Sequence, residues 1–209
     1  MTTFLNITQS LDGFVAGQEA TLEEPLGQGG EELHEWIVRL ESWRRQHGRE
    51  GGEKGADGDL VRETQERTGA HVMGRRMFSG GEGSWQDDSN ANGWWGDDPP
   101  FGGPVFVVTH HAREPLTLGT TTYTFVDGVE EAVRLAQAAA GDKDVQVSGG
   151  GSVAQQALDA GLLEELLIHV APVLLGGGVR LFESPQRRPI ELVRTSGSPD
   201  VTHLEYRVG

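Results

Sequence analysis

The sequence contains no cysteine, which excludes a disulfide framework, thiolate metal centres and a cysteine nucleophile. It also lacks any run of eighteen apolar residues, the length a membrane-spanning helix needs. The opening, Met1-Thr2-Thr3-Phe4-Leu5-Asn6-Ile7, has no basic lead and no small-residue cleavage pattern, so a secretory signal is not expected there. Positive charge is scarce: 17 Lys and Arg stand against 32 Asp and Glu, a formal charge of −15. Basic residues run no further than pairs such as Arg44-Arg45 and Arg187-Arg188, so neither nucleic acid nor a membrane is expected as a partner. The expectation is a cytoplasmic protein acting on a small molecule. An anionic ligand would need locally placed cations and backbone N–H groups, because the overall field opposes it.

Glycine, by contrast, is abundant at 31 of 209 residues, and it punctuates the pattern of elements. Phe4–Ile7 alternates like a strand and stops at Thr8-Gln9-Ser10. Residues 18–30 are rich in Gly and Glu and read as loop. Leu33, Trp36, Ile37, Leu40 and Trp43 recur at helical spacing, and that helix dissolves in the glycine-rich stretch 48–58, read as a flexible surface loop. A second helix is predicted from Asp59, as N-cap, to about Arg67, followed by the short strand His71-Val72-Met73. Residues 79–103 form a long polar segment containing Trp85, Trp94 and Trp95; loops of this length are often functional or else disordered.

Val105–Val108 and Tyr123–Val126 read as buried strands, and Val129, Ala132, Val133 and Ala136 mark a helix. The most regular unit is a strand Val145–Val147, a turn Gly149-Gly150-Gly151, a cap at Ser152 and a helix carrying Val153, Ala157 and Leu158. Leu166–Val170 returns as strand. Ile190–Arg194, the turn 196–199 and the alternating Leu204, Tyr206 and Val208 predict an antiparallel hairpin. Strand–helix alternation closed by a hairpin predicts an α/β fold, a mixed sheet flanked by helices.

The triple glycine carries the strongest chemical signal. Unpaired N–H groups at a helix start, together with the positive end of its dipole, attract an anion, and glycine lets a pyrophosphate approach the backbone. A purely structural turn is the alternative. No Gly-Lys-Ser/Thr follows, so it is not a P-loop, and the Rossmann spacing fails because Val153 and Ala154 stand where a third glycine belongs. Gly74-Arg75-Arg76 suits a phosphate by charge and fork geometry, or else forms an exposed basic turn. Thr109-His110-His111-Ala112-Arg113 follows a buried strand, where open α/β sheets bind ligands. Adjacent histidines on extended backbone point oppositely, so no metal is expected. Asp12, beside Gly13, reads as a turn residue unless other signals give it a role.

In their order, these pieces resemble one family. Residues Asn6 to Gly17 resemble the opening of the family that joins dihydrofolate reductases with the riboflavin-biosynthesis reductase domain. Val72-Met73-Gly74-Arg75-Arg76-Met77-Phe78 is similar to its Gly-Arg corner, Val105–Thr109 to its next strand. Val147–Ser152 and Pro172–Gly178, the latter followed by Leu181-Phe182, are similar to its glycine turns. The resemblance spans nearly the whole chain, with extra length near 18–58 and 79–103.

It implies a single domain over residues 1–209: a dihydrofolate reductase-like three-layer fold with a mixed, mainly parallel sheet of about eight strands and a C-terminal antiparallel hairpin. It further implies an NADPH-dependent reductase of a small heterocyclic or carbonyl substrate, and a homodimer. By position, Ala16 and Gly17 would lie near the nicotinamide, and Gly74, Arg75 and Arg76 near the phosphates. Thr109, His110 and Arg113 would approach the adenosine ribose with its 2′-phosphate, and Gly149, Gly150, Gly151, Ser152 and Val153 would hold the pyrophosphate. Where the family usually carries Ser-Arg, this chain has Thr-His-His. A proton donor is also required; Asp12 and Asp59 are the candidate catalytic acids, the latter on the helix before the Gly-Arg corner, where Asp57 and Glu63 also lie. A catalytically silent NADP-binding module, and an interaction domain using the Trp-rich segment, are the alternatives.

Overall fold

β-Branched and aromatic residues at period two build a nine-stranded central sheet. The computed structural model describes residues 1–183 and 186–209. In chain order the elements are β1 (Thr3–Ser10), β2 (Phe14–Ala16), a 3₁₀ turn (Gly30–His34), α1 (Glu35–Val38), α2 (Glu41–Gln46), α3 (Ala56–Arg67), β3 (Thr68–Gly74) and α4 (Arg75–Ser79). A second 3₁₀ turn (Trp85–Asp87) precedes β4 (Pro104–Val108), β5 (Leu116–Leu118), β6 (Thr121–Val126), α5 (Val129–Ala139), β7 (Asp144–Gly149), α6 (Gly151–Asp159) and β8 (Glu165–Ala171). The chain closes with β9 (Val179–Arg180), β10 (Ile190–Ser198) and β11 (Val201–Val208).

The sheet order is β10-β11-β8-β1-β7-β3-β4-β6-β5. The six strands from β8 to β6 run parallel, with antiparallel pairs at both margins: β10 and β11 at one, β5 at the other. The mixed, mainly parallel architecture and the C-terminal hairpin are as expected. The ninth strand is β5, too short and too close to β6 to show in the sequence. β2 and β9 pair separately as a small antiparallel sheet.

Side chains alternate along each strand, so the sheet has two faces. On one, Leu5, Val72, Phe106, Val147 and Ile168 bury against Ala132, Val133 and Ala136 of α5 and Val153 and Ala157 of α6. The opposite face carries two separate apolar patches. Met73, Val105, Val107 and Tyr123 lie under Phe78, Trp85 and Phe101; Trp36, Leu40, Val61 and Val201 form the other patch, beside His169 and His203. The segments 18–58 and 79–103 therefore supply the second layer of cladding.

Several local expectations are corrected. The helix expected over Leu33–Trp43 is broken: Leu40 is extended (φ −69°, ψ 140°), buried, and bridged to Glu53. Its helical spacing survives because the chain resumes as α2 on the same apolar patch. α3 starts at Ala56 with Gly55 as N-cap, so Asp59 is not the cap. It sits in the first turn, where the helix dipole favours an acid. Likewise the N-cap of α6 is Gly150, and Ser152 lies inside the helix, its Oγ accepting from Gln156 Nε2 at 3.0 Å. The hairpin strands run further than expected, to Ser198 and from Val201, leaving Pro199-Asp200 as the turn. Among the described residues, no helix is long and apolar enough to cross a membrane.

Candidate functional site

β7 and β3 are adjacent and parallel, so their C-terminal ends open side by side. β7 leaves the sheet at Gly149, whose φ of +123° suits glycine, through a cis peptide to Gly150. The first backbone bond of α6 runs from Ala154 N–H to Gly150 C=O at 3.1 Å. The amides of Gly151, Ser152 and Val153 thus stand ahead of the helical ladder, at the positive end of the dipole. A Cβ on Gly150 would meet nothing within 4 Å, so the corner is open there. A Cβ on Gly151 would lie 2.8 Å from the Arg180 carbonyl oxygen and 3.2 Å from both Val15 and Val179; the β2–β9 sheet closes on the helix start. A Cβ on Gly74 would lie 3.1 Å from Val153. Gly74, Gly149–Val153 and the strand ending at Ala16 therefore converge on one corner. Gly17 is set by packing, since its Cβ would fall 1.9 Å from the Gln28 carbonyl oxygen and its N–H donates to Leu26 C=O at 2.7 Å.

The cations expected near phosphate are differently placed. Arg75 is buried and paired with buried Asp88, Nη2 to Oδ2 at 2.5 Å, and its guanidinium lies 3.5 Å from the Trp85 ring centroid. Burial weakens Arg75's hold on its proton, partly offset by Asp88. Burial alone would raise the Asp88 carboxyl, but hydrogen bonds from Ser79 and the Asn90 amide, together with the close Arg75 guanidinium, outweigh it and hold it below the usual range. Arg76 is half exposed and pairs with Glu82. Arg113 donates to Ala91 C=O and to Asn92 Oδ1 and also faces Trp85, 4.9 Å from its centroid. Thr109 is buried, accepting at Oγ1 from the His111 amide at 3.1 Å; His110 is exposed against Asp127, Nδ1 to Oδ1 at 2.6 Å. The tryptophans of this segment pack on the protein: Trp94 Nε1 donates to Met77 C=O at 2.6 Å, and Trp95 packs on Phe101.

The two acids named from the sequence have other tasks. Asp12 accepts from Ser10 Oγ at 2.6 Å, from Leu175 N–H at 3.1 Å and from Gly176 N–H at 2.8 Å. Its carboxyl is held below its usual range by the Ser10 hydroxyl against a smaller desolvation, with the two amides adding. It clamps the glycine loop after β8 to the β1–β2 turn. Asp59 is exposed and pairs with Arg62 one turn on; its helix packs on α2 and β10.

Sequence reasoning passed over a buried polar line. Asp57 Oδ1 meets His203 Nε2 at 3.1 Å, His203 Nδ1 meets His169 Nδ1 at 2.7 Å, and His169 Nε2 meets Asn6 Oδ1 at 2.7 Å. Both ring nitrogens of each histidine are engaged in this line. Burial, with the neighbouring His203 and His34 adding, pushes the His169 pKa down to about 3. The period-two pattern of β8 and β11 was the only available sign of this line. Arg180 was also missed: its carbonyl lies against Gly151, while its guanidinium sits at the β1–β2 turn, over the Phe14 ring with Nη1 donating to the Asp12 carbonyl at 3.2 Å.

Comparisons with known proteins agree with this architecture. The family described as RibD C-terminal domain matches residues 2–203. No curated protein matches the sequence. Among solved structures, a protein assigned to riboflavin biosynthesis from Shewanella sp. PV-4 superposes with a TM-score of 0.64 at 22% identity, covering 100% of this chain and 99% of that one. The diaminohydroxyphosphoribosylaminopyrimidine deaminase/5-amino-6-(5-phosphoribosylamino)uracil reductase of Thermotoga maritima gives 0.59 at 14% identity, over 100% of this chain and 56% of that one. This chain thus spans about half the length of that two-activity protein. Dihydrofolate reductase from Enterococcus faecalis, complexed with NADP(H), gives 0.55 at 14% identity, over 99% and 96%.

Proposed function

The chain belongs to the RibD C-terminal domain family, and on that premise we propose that it is an NADPH-dependent reductase of a small heterocyclic or carbonyl substrate. The observation that carries this reading is the glycine corner: a positive-φ Gly149, three amides ahead of the α6 ladder and open space beside Gly150. That is the backbone an approaching pyrophosphate needs.

In this reading the Gly151, Ser152 and Val153 amides hold the pyrophosphate, and Ala16 and Gly17 border the nicotinamide. The cofactor, when bound, supplies a hydride. The protein's share is to align the two partners and keep water from them. The domain is a single unit over residues 1–209. It dimerises, and the exposed Ile190, Leu192 and Val193 of edge strand β10 suit a subunit contact. A silent NADP-binding module is favoured over an enzyme only by the engagement of Asp12 and Asp59 in other contacts; turnover of a pterin, pyrimidine or carbonyl substrate with NADPH separates the two.

NADPH at 1000-fold above a micromolar dissociation constant adds about 4 kcal/mol to the folded state, so thermal melting rises. Gly150→Val places a side chain in the open space where the phosphates would lie. We expect it to fold and to lose that shift. Unchanged melting of the wild type, or an undiminished shift in the variant, overturns the reading.

A further inference from the structure

Among the described residues, the guanidinium of Arg75 is the least satisfied buried charge in the fold. Its Nε, Nη1 and Nη2 are all buried without a well-formed hydrogen bond. Its contacts are the close Asp88 oxygen and the face of Trp85. An arginine offers five N–H donors in a planar fork, so one carboxylate oxygen leaves most of them unmet, and each unmet buried donor is costly. A phosphate, with three oxygens, would satisfy the fork better.

The segment that covers Arg75 is residues 84–92, held across the ends of β3 and β4. The guanidiniums of Arg75 and Arg113 both lie over the Trp85 ring, 3.5 and 4.9 Å from its centroid, and its Nε1 donates to His111 C=O at 3.0 Å. Arg113 reaches Ala91 C=O and Asn92. An acid on one arginine, and an aromatic plane against both, reproduce the groups of a phosphorylated nucleoside. The position suits that comparison. Neighbouring strands lie about 4.8 Å apart, so β4 ends about 10 Å from the corner on β7, and an extended dinucleotide anchored there reaches across β3 to β4. A cavity of about 250 Å³ borders the segment, lined by Thr21, Leu22, Arg76, Gly81, Ser84 and Asp88.

We propose that residues 84–92 are a built-in stand-in for the adenosine end of the cofactor, Asp88 taking a phosphate's place on Arg75 and the Trp85 indole an adenine's place against Arg75 and Arg113. The segment and the adenosine half of NADPH then compete for the same two arginines. Asp88 and Trp85 thereby set how strongly the protein distinguishes a whole dinucleotide from its nicotinamide half. The proposal rests on the cofactor reading above.

The test measures dissociation constants for NADPH and for reduced nicotinamide mononucleotide with the wild type, Trp85→Ala and Asp88→Asn. A stand-in that is closed about nine-tenths of the time weakens the whole cofactor about tenfold. Both variants should therefore bind NADPH about tenfold more tightly and leave the mononucleotide unchanged. Because Trp85 also packs on Phe78 and Phe125, amide exchange in the wild type gives an independent readout: protection of 84–92 should fall with NADPH and stay with the mononucleotide. Unchanged or weakened NADPH binding in the variants, or protection that rises with NADPH, refutes the stand-in while mononucleotide binding keeps the cofactor reading. A wild type that binds neither nucleotide removes both.

Discussion

Acid should weaken this fold through its buried histidines, His34, His71, His203 and His169, all held below the usual imidazole range by burial, and His169 can be tested alone. His169 is buried, is tied to Asn6 and His203, and its pKa falls from 6.5 to about 3. The folded value lies below the unfolded one, so the stabilisation of the neutral ring is complete above pH 6.5. It is lost as pH falls from 6.5 towards 3, because only the unfolded chain takes up the proton in that window. Each pH unit within it costs about 1.4 kcal/mol. From pH 7 to pH 5 the loss is about 2 kcal/mol, a large share of an ordinary domain's 5–15 kcal/mol. The assay is urea unfolding followed by tryptophan fluorescence at half-unit steps from pH 7 to pH 5, for the wild type and His169→Gln. The variant should be less stable at pH 7, yet its stability should fall about 2 kcal/mol less across the series. Parallel curves refute the assignment. If His169→Gln does not fold, an imidazole titration of the wild type by NMR decides, because His169 should stay neutral to below pH 4, and a ring that titrates near 6.5 contradicts the argument.

Two further outcomes follow from the glycine corner and its clamp. Gly151→Ala drives a methyl to 2.8 Å from the Arg180 carbonyl oxygen, and overpacking of this kind costs about 1–3 kcal/mol. Denaturant unfolding should register that loss, and a neutral result would mean that the β2–β9 sheet yields freely. Asp12→Ala removes the acceptor for the Leu175 and Gly176 amides; melting temperature should drop and amide exchange at 175–176 should speed up. The Asp12 carboxylate has a depressed folded pKa, so its stabilisation is present above the unfolded value and lost as pH falls through the folded one. The difference between variant and wild type should therefore shrink in acid, and a difference that does not shrink would mean the carboxylate's charge is irrelevant to the clamp.

What the sequence revealed of this architecture depended on how local the signal was. The β7–α6 unit was legible because strand, turn and helix follow one another within sixteen residues, Asp144 to Asp159. The long segments were not, because their periodicity is broken. Leu40 keeps helical spacing while its backbone is extended, and 79–103 has no period; its order comes from Asp88, Trp85 and Trp94 meeting residues elsewhere. Arg75 looked available for phosphate because an arginine after a glycine carries no mark of the acid thirteen positions later that pairs with it. The His169–His203 contact needed the β8–β11 register, which sets those two residues directly opposite each other. A pattern of alternation gives the face of a side chain but not its cross-strand partner.

The outermost strand has a practical corollary. β10 is exposed along almost its whole length and displays Ile190, Leu192 and Val193, while one of its two edges has no hydrogen-bonded neighbour in the sheet order. Such a border accepts any extended chain that arrives, whether a second molecule or a misfolded fragment. Leu192→Lys should therefore keep concentrated preparations clear and, by the same charge, loosen the subunit contact proposed for this strand, four strands away from the glycine corner.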